Sequence, residues 1–143
     1  MKVDDALLLH TFYDQVLNKQ EKGVGVDIDL AWDMQEDMDQ LATFVDRYLK
    51  AREKLTKEMG EPMKDDPNRY TLKDVQAFLA EIEKLLEKDI EVTVKKYPES
   101  VFRAGLRGVR VGGTLKKAKE FLVIAPKEKE LVENGQNSKK QKS

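Results

Sequence analysis

From Ala31 to Met59 apolar side chains recur in steps of three and four: Ala31, Met34, Met38, Leu41, Val45, Tyr48, then Arg52, Leu55 and Met59. Arg52 is the one polar member. Such a seam can be satisfied only by a helix, because steps of three and four return to one face at 3.6 residues per turn. The spacing predicts a helix from about residue 29 to 59, roughly 45 Å long at about 1.5 Å per residue. Leu30, Phe44 and Leu49 widen the apolar face, as expected of a helix with more than one neighbour. Glu53 and Lys57 form a favourable i to i+4 pair. Gly60 ends the helix, and Pro62 prevents its continuation.

The rest of the chain supplies neighbours. Leu8, Leu9, Phe12, Tyr13, Val16 and Leu17 share a helical face over residues 5–19, with Asp4 or Asp5 at the start to suit the free amides and the dipole. Gly23 and Gly25 turn the chain, Val24, Val26 and Ile28 alternate, and Asp27 or Asp29 can cap the long helix. Residues 60–70 read as a polar loop. Thr71, with Asp74 three residues on, caps a third helix that carries Leu72, Val75, Phe78, Leu79, Ile82, Leu85 and Leu86 and ends near Lys88. The period then changes to two: Ile90, Val92 and Val94 alternate with Glu91, Thr93 and Lys95 before Pro98. A single strand is not stable alone. This one needs a mate, either within residues 101–124, where Leu106, Val109 and Val111 offer one, or on another chain. Thr114 caps a last short helix, or residues 120–125 form a further strand; short apolar runs do not separate these. The fold class expected is mainly α (α+β): an antiparallel helical hairpin with a third helix and a small C-terminal β element. At 143 residues it forms a single domain over residues 1–125, and residues 126–143 form a disordered charged tail. No internal repeat is present.

Composition limits the chemistry. The chain is 37% charged and has no cysteine, which excludes disulfides and cysteine-based zinc or nucleophile sites. Its one histidine, His10, has no second histidine to share a zinc ion or assist a nucleophile. The acidic run Asp27–Asp39 lacks calcium-loop spacing, because Ala31 stands at the third ligand position and Trp32 at the glycine's. Asp29, Asp33, Glu36 and Asp37 therefore read as a solvated, dipole-complementing stretch, with a divalent-metal site of an enzyme, resting on Asp33 and Asp37, as the alternative. The run GLRGVRVGGTLK has Thr114 where a phosphate loop places lysine. The expectation is a protein that is not an enzyme, with no cofactor, no metal and no small-molecule substrate. No basic leader with a cleavage site, and no run near the roughly 18 apolar residues of a membrane span, is found, so a cytoplasmic protein without a membrane partner is expected.

Two surfaces remain. The net charge of −1 hides an asymmetry: residues 95–119 carry eight basic side chains against Glu99 alone, while the first fifty residues carry eleven acidic and five basic. Arg103, Arg107, Arg110, Lys116 and Lys117 could follow a phosphate backbone, which makes a nucleic-acid-binding accessory or regulatory factor the alternative function. Aromatic interleaving is thin, with only Tyr97, Phe102 and Phe121 nearby. The bland alternative is a solvated loop that pairs with acidic helices of the same or an adjacent subunit. The second surface is the seam, longer than the fifteen- and seventeen-residue flanking helices cover end to end. Met34, Met38, Leu41, Val45, Tyr48 and Leu55 are its candidate oligomer or partner contacts, and its methionines are adaptable packing groups.

The layout of Tyr48, Arg52, Leu55, Gly60 and Glu61, followed by Phe78, Glu81, Leu85, Leu86 and Glu91, resembles a family of small phage-encoded proteins of unknown function over about residues 5–95. The resemblance implies a non-catalytic protein of virion assembly or an accessory factor. Its partners would be further copies of itself or phage structural proteins, in the host cytoplasm or with the virion. The basic, glycine-rich segment 101–113 has no counterpart in that pattern.

Overall fold

The computed structural model describes residues 1–22 and 24–124. In chain order the elements are α1 (Val3–Asn18), α2 (Ile28–Met59), β1 (Gly60–Pro62), β2 (Tyr70–Leu72), α3 (Val75–Leu86), α4 (Glu99–Gly105) and α5 (Leu115–Leu122). The protein is mainly helical with one small antiparallel sheet. Its contacts divide into two compact units. The first takes Met1–Thr11 with Met38–Val92, and the second takes Phe12–Asp37 with the chain from Thr93. The start of α1 thus groups with the later part of α2, and the end of α1 with the start of α2.

In the first unit Val3, Ala6 and Leu9 of α1, Leu41 of α2, and Phe78 and Ile82 of α3 are buried. The β1–β2 ladder pairs Gly60 with Leu72, Glu61 with Thr71 and Pro62 with Tyr70. Residues 60–70, expected as a loop, therefore make a hairpin whose second strand takes Thr71. That moves the α3 cap to Asp74, whose carboxylate accepts the Ala77 amide at 3.0 Å. Gly60 is required at this corner. A Cβ there would lie 2.8 Å from the Thr56 carbonyl oxygen and 3.1 Å from that of Thr71. The chain start lies along the segment after α3: the Val3 amide donates to Lys88 O at 2.9 Å and the Ile90 amide to Met1 O at 2.7 Å.

The second unit has an aromatic centre. The Phe12 and Phe102 rings stack with centroids 6.2 Å apart, and Tyr97 lies 6.5 Å from Phe102. Val16, Leu30, Met34, Ala118 and Leu122 are buried in the same unit. Leu106, Val109 and Val111, expected to provide a strand, follow a helix instead. Pro98 sets the start of α4, and Glu99 pairs with Arg103 one turn on at 2.9 Å. Gly105 comes so close to the Leu30 side chain that a Cβ would overlap it.

Residues 90–96 belong to no helix or strand, and Ile90, Val92 and Val94 are their half-buried positions, as the alternation requires. They join no ladder. Among the described residues, C-terminal β pairing is one parallel bridge between Tyr97 and Val123, in which the Tyr97 amide donates to Leu122 O at 2.7 Å and the Ile124 amide to Tyr97 O at 2.9 Å. The segment 115–122 resolves as helix, because four of its eight residues fall on one buried or half-buried face. The turn expected at Gly23 and the charged tail expected over 126–143 lie outside the described residues.

Candidate interaction surfaces

The seam on α2 is divided between the two units. Met34 and Leu41 are fully buried within the chain. Neither leaves surface for a partner. Met38, Val45, Tyr48 and Leu55 are half-buried, and Arg52 is exposed. In the first unit Tyr48 lines an apolar groove of about 470 Å³ with Phe44 and Ala51 of α2, Leu85 of α3 and Ile90. Arg47, Lys88, Asp89 and Glu91 stand around it, and the Arg47 guanidinium lies 5.4 Å from the Phe44 ring centroid. The seam pattern marked Tyr48. Leu85 and Ile90 could not be placed beside it from sequence, because they come from other segments.

Asp37 departs from the solvated reading of the acidic run. It is 6% exposed. Its position three residues after Met34 puts it on the covered side of α2. The Lys95 amide donates to its Oδ2 at 2.9 Å and the Tyr13 hydroxyl at 3.3 Å, while the Lys95 ammonium reaches Asp33 at 2.6 Å. Burial raises the Asp37 pKa, and the two hydrogen bonds oppose that shift. Tyr13 is likewise held neutral, first by burial and then by the Asp37 charge. Among the described residues, the Tyr97 hydroxyl is buried without a hydrogen-bond partner. The carboxylate is closed over by its donors, so this arrangement tethers the extended segment at Lys95 to α2. Among the described residues no three Asp, Glu or His side chains converge to hold a metal ion.

The five cations singled out in the basic segment are all exposed. Arg103 is paired with Glu99, and Lys117 with Glu120 at 3.2 Å. Arg107, Arg110 and Lys116 form no ion pair with a described residue. The turn they flank is pinned through the backbone. The Gln20 amide donates to Arg110 O at 2.6 Å and accepts the Arg110 N–H at 2.8 Å, and the Thr114 hydroxyl donates to Gln15 at 3.0 Å. Gly108 takes a φ of +80°, the left-handed turn that glycine adopts without strain. Between α4 and α5 lies a cleft of about 330 Å³, floored by apolar side chains and rimmed by Arg103, Arg107 and Lys119. Tyr97 and Phe102 are buried, so neither offers a ring for base stacking. On the other side of α4, Asp27, Asp29 and Asp33 line an open pocket with Leu30, Val101 and Ala104.

Ile28 and Trp32 are missing from the sequence-derived site. They are 80% and 70% exposed. Their i, i+4 spacing off the seam was the available signal. No family model, no curated protein and no solved structure matches the chain. No helix among the described residues is long and apolar enough to cross a membrane.

Proposed function

We propose that this chain is a non-catalytic interaction protein, a phage-type assembly or accessory factor that works through contacts with its own copies or with a structural protein. The observation that carries the reading is the groove of the first unit. An apolar trough beside Tyr48, edged by Arg47, Lys88, Asp89 and Glu91, has the form of sites that take an amphipathic helix or a large side chain. Its chemistry is adhesive, because apolar area provides the attraction and the mixed-charge rim the orientation. Light scattering at low and high salt tests this. A species heavier than the 16.4 kDa chain, or a complex captured from a phage-infected lysate, is expected, with a fall in that mass or loss of that complex in Tyr48→Asp. A protein that stays monomeric at high concentration and captures nothing would end the reading.

A second reading, a nucleic-acid-binding accessory factor, rests on Arg107, Arg110 and Lys116, unpaired among the described residues, with Arg103 and Lys117. It expects duplex binding that falls steeply with salt, and removal of one phosphate-neutralising cation should lower the slope by about 0.9. Alanine at Arg107 and Arg110 separates the two readings. Nucleic-acid binding should weaken, and an assembly through the Tyr48 groove should not.

A further inference from the structure

Two features of the second unit match in shape and charge, and both stay open among the described residues. The first is a knob. Ile28 and Trp32 stand one turn apart on α2 and project apolar surface into solvent, with Asp27, Asp29, Asp33 and Glu36 around them. The Trp32 indole N–H donates to Glu36 at 3.0 Å, which fixes the ring before any partner arrives. The second is a hole, the cleft between α4 and α5. Leu106, Val109 and Leu115 give it an apolar floor, and Arg103, Arg107 and Lys119 give it a cationic rim. No residue of α2 lines it. Its volume lies at the low end of pockets that enclose a small ligand, about 300–1,000 Å³, which suits one or two side chains.

We propose that the Ile28–Trp32 knob of one copy seats in the α4–α5 cleft of a second copy, with its carboxylates meeting the Arg107 and Lys119 charges. This rests on the interaction-protein reading and adds to the Tyr48 groove a second contact between copies, with both of its surfaces named. Knob and hole are different surfaces of each copy, so the contact is head-to-tail. It extends into a chain of copies or closes into a ring. A nucleic acid would use the rim cations alone and leave both the apolar floor and the exposed tryptophan without a role. A second copy uses all three. Trp and Arg are also the side chains in which interface binding energy is concentrated.

Trp32 is the only tryptophan, so its emission reports this contact directly. As concentration rises, the emission should move to the blue and resist acrylamide quenching, and high salt should weaken both effects. Trp32→Ala should weaken self-association about 30-fold or more. Arg107→Glu should keep its emission at the solvated position at every concentration. Both side chains are exposed, and circular dichroism confirms that the variants fold. The decisive sample mixes the two. Made in a Tyr48→Asp background, Arg107→Glu retains the knob and Trp32→Ala retains the hole, so the blue shift should return in the mixture together with a mass of two chains and no more. A mixture that stays solvated overturns the proposal. So does a wild-type oligomer whose Trp32 remains freely quenched, an outcome that leaves the interaction reading standing. Duplex binding that disappears in Arg107→Glu, with Trp32 unmoved and no self-association, would give the cations to nucleic acid instead. A monomer that captures nothing removes both readings.

Discussion

Phe102→Ala should do more damage than the length of its helix suggests. Phe102 is 1% exposed and is the one buried side chain of α4. Its ring lies 6.2 Å from Phe12 at an interplanar angle of 20° and 6.5 Å from Tyr97. A buried aromatic removes about 150–250 Å² from water, which at ~25 cal/mol per Å² is about 4–6 kcal/mol. Alanine keeps a little of that, and Phe→Ala changes in cores cost about 3–5 kcal/mol. Against a total stability of about 5–15 kcal/mol, the loss is a large fraction. A seven-residue helix has no stability of its own, so α4 should also come away once its anchor is gone. Both surfaces that α4 borders would disappear with it. Urea denaturation followed by far-ultraviolet circular dichroism measures the effect. With an m-value of about 2 kcal/mol per molar, the midpoint should fall by about 2 M. A loss below about 1 kcal/mol would refute the reasoning, because α4 would then be held by something other than the aromatic stack.

Asp37→Asn should change how stability depends on pH. Burial raises the Asp37 pKa above its ordinary 3.8, so the folded state holds this proton more tightly than the unfolded chain does. Stability from this group is fully present below 3.8 and is lost as pH rises through the folded-state value. The melting temperature of Asp37→Asn relative to wild type should therefore climb as pH rises from acid to neutral, and a difference that ignores pH would show that the carboxylate is not desolvated. Gly60→Ala should cost about 1–3 kcal/mol, because its Cβ meets two backbone carbonyl oxygens that have no rotamer to escape into. An unchanged melting temperature would mean that the β1–β2 corner is looser than its contacts indicate.

What the sequence by itself determined is local. The three-four recurrence from Ala31 to Met59 specifies α2 nearly to its ends, because helical periodicity depends on nothing beyond the chain's own pitch. The same holds for α1, for the body of α3, and for the placing of cations on 95–119 and carboxylates before residue 50. Short elements carry too few residues for a period to show. For this reason the hairpin 60–72 read as a loop, and α4 went unrecognised beside the strand expected at Leu106, Val109 and Val111. Tertiary structure decided which side of a legible helix is covered. Met34 and Leu41 bear the same pattern as Tyr48, yet the first two are enclosed and Tyr48 borders a groove, because segments distant in sequence end where they do. Asp37 was indistinguishable from its acidic neighbours until Tyr13 and the Lys95 amide were brought to it across 24 and 58 residues. Trp32 was likewise indistinguishable from a core residue until the fold left it exposed. Burial is a property of contacts between segments far apart along the chain, and a single sequence gives a segment's preference for a buried face without saying what covers it.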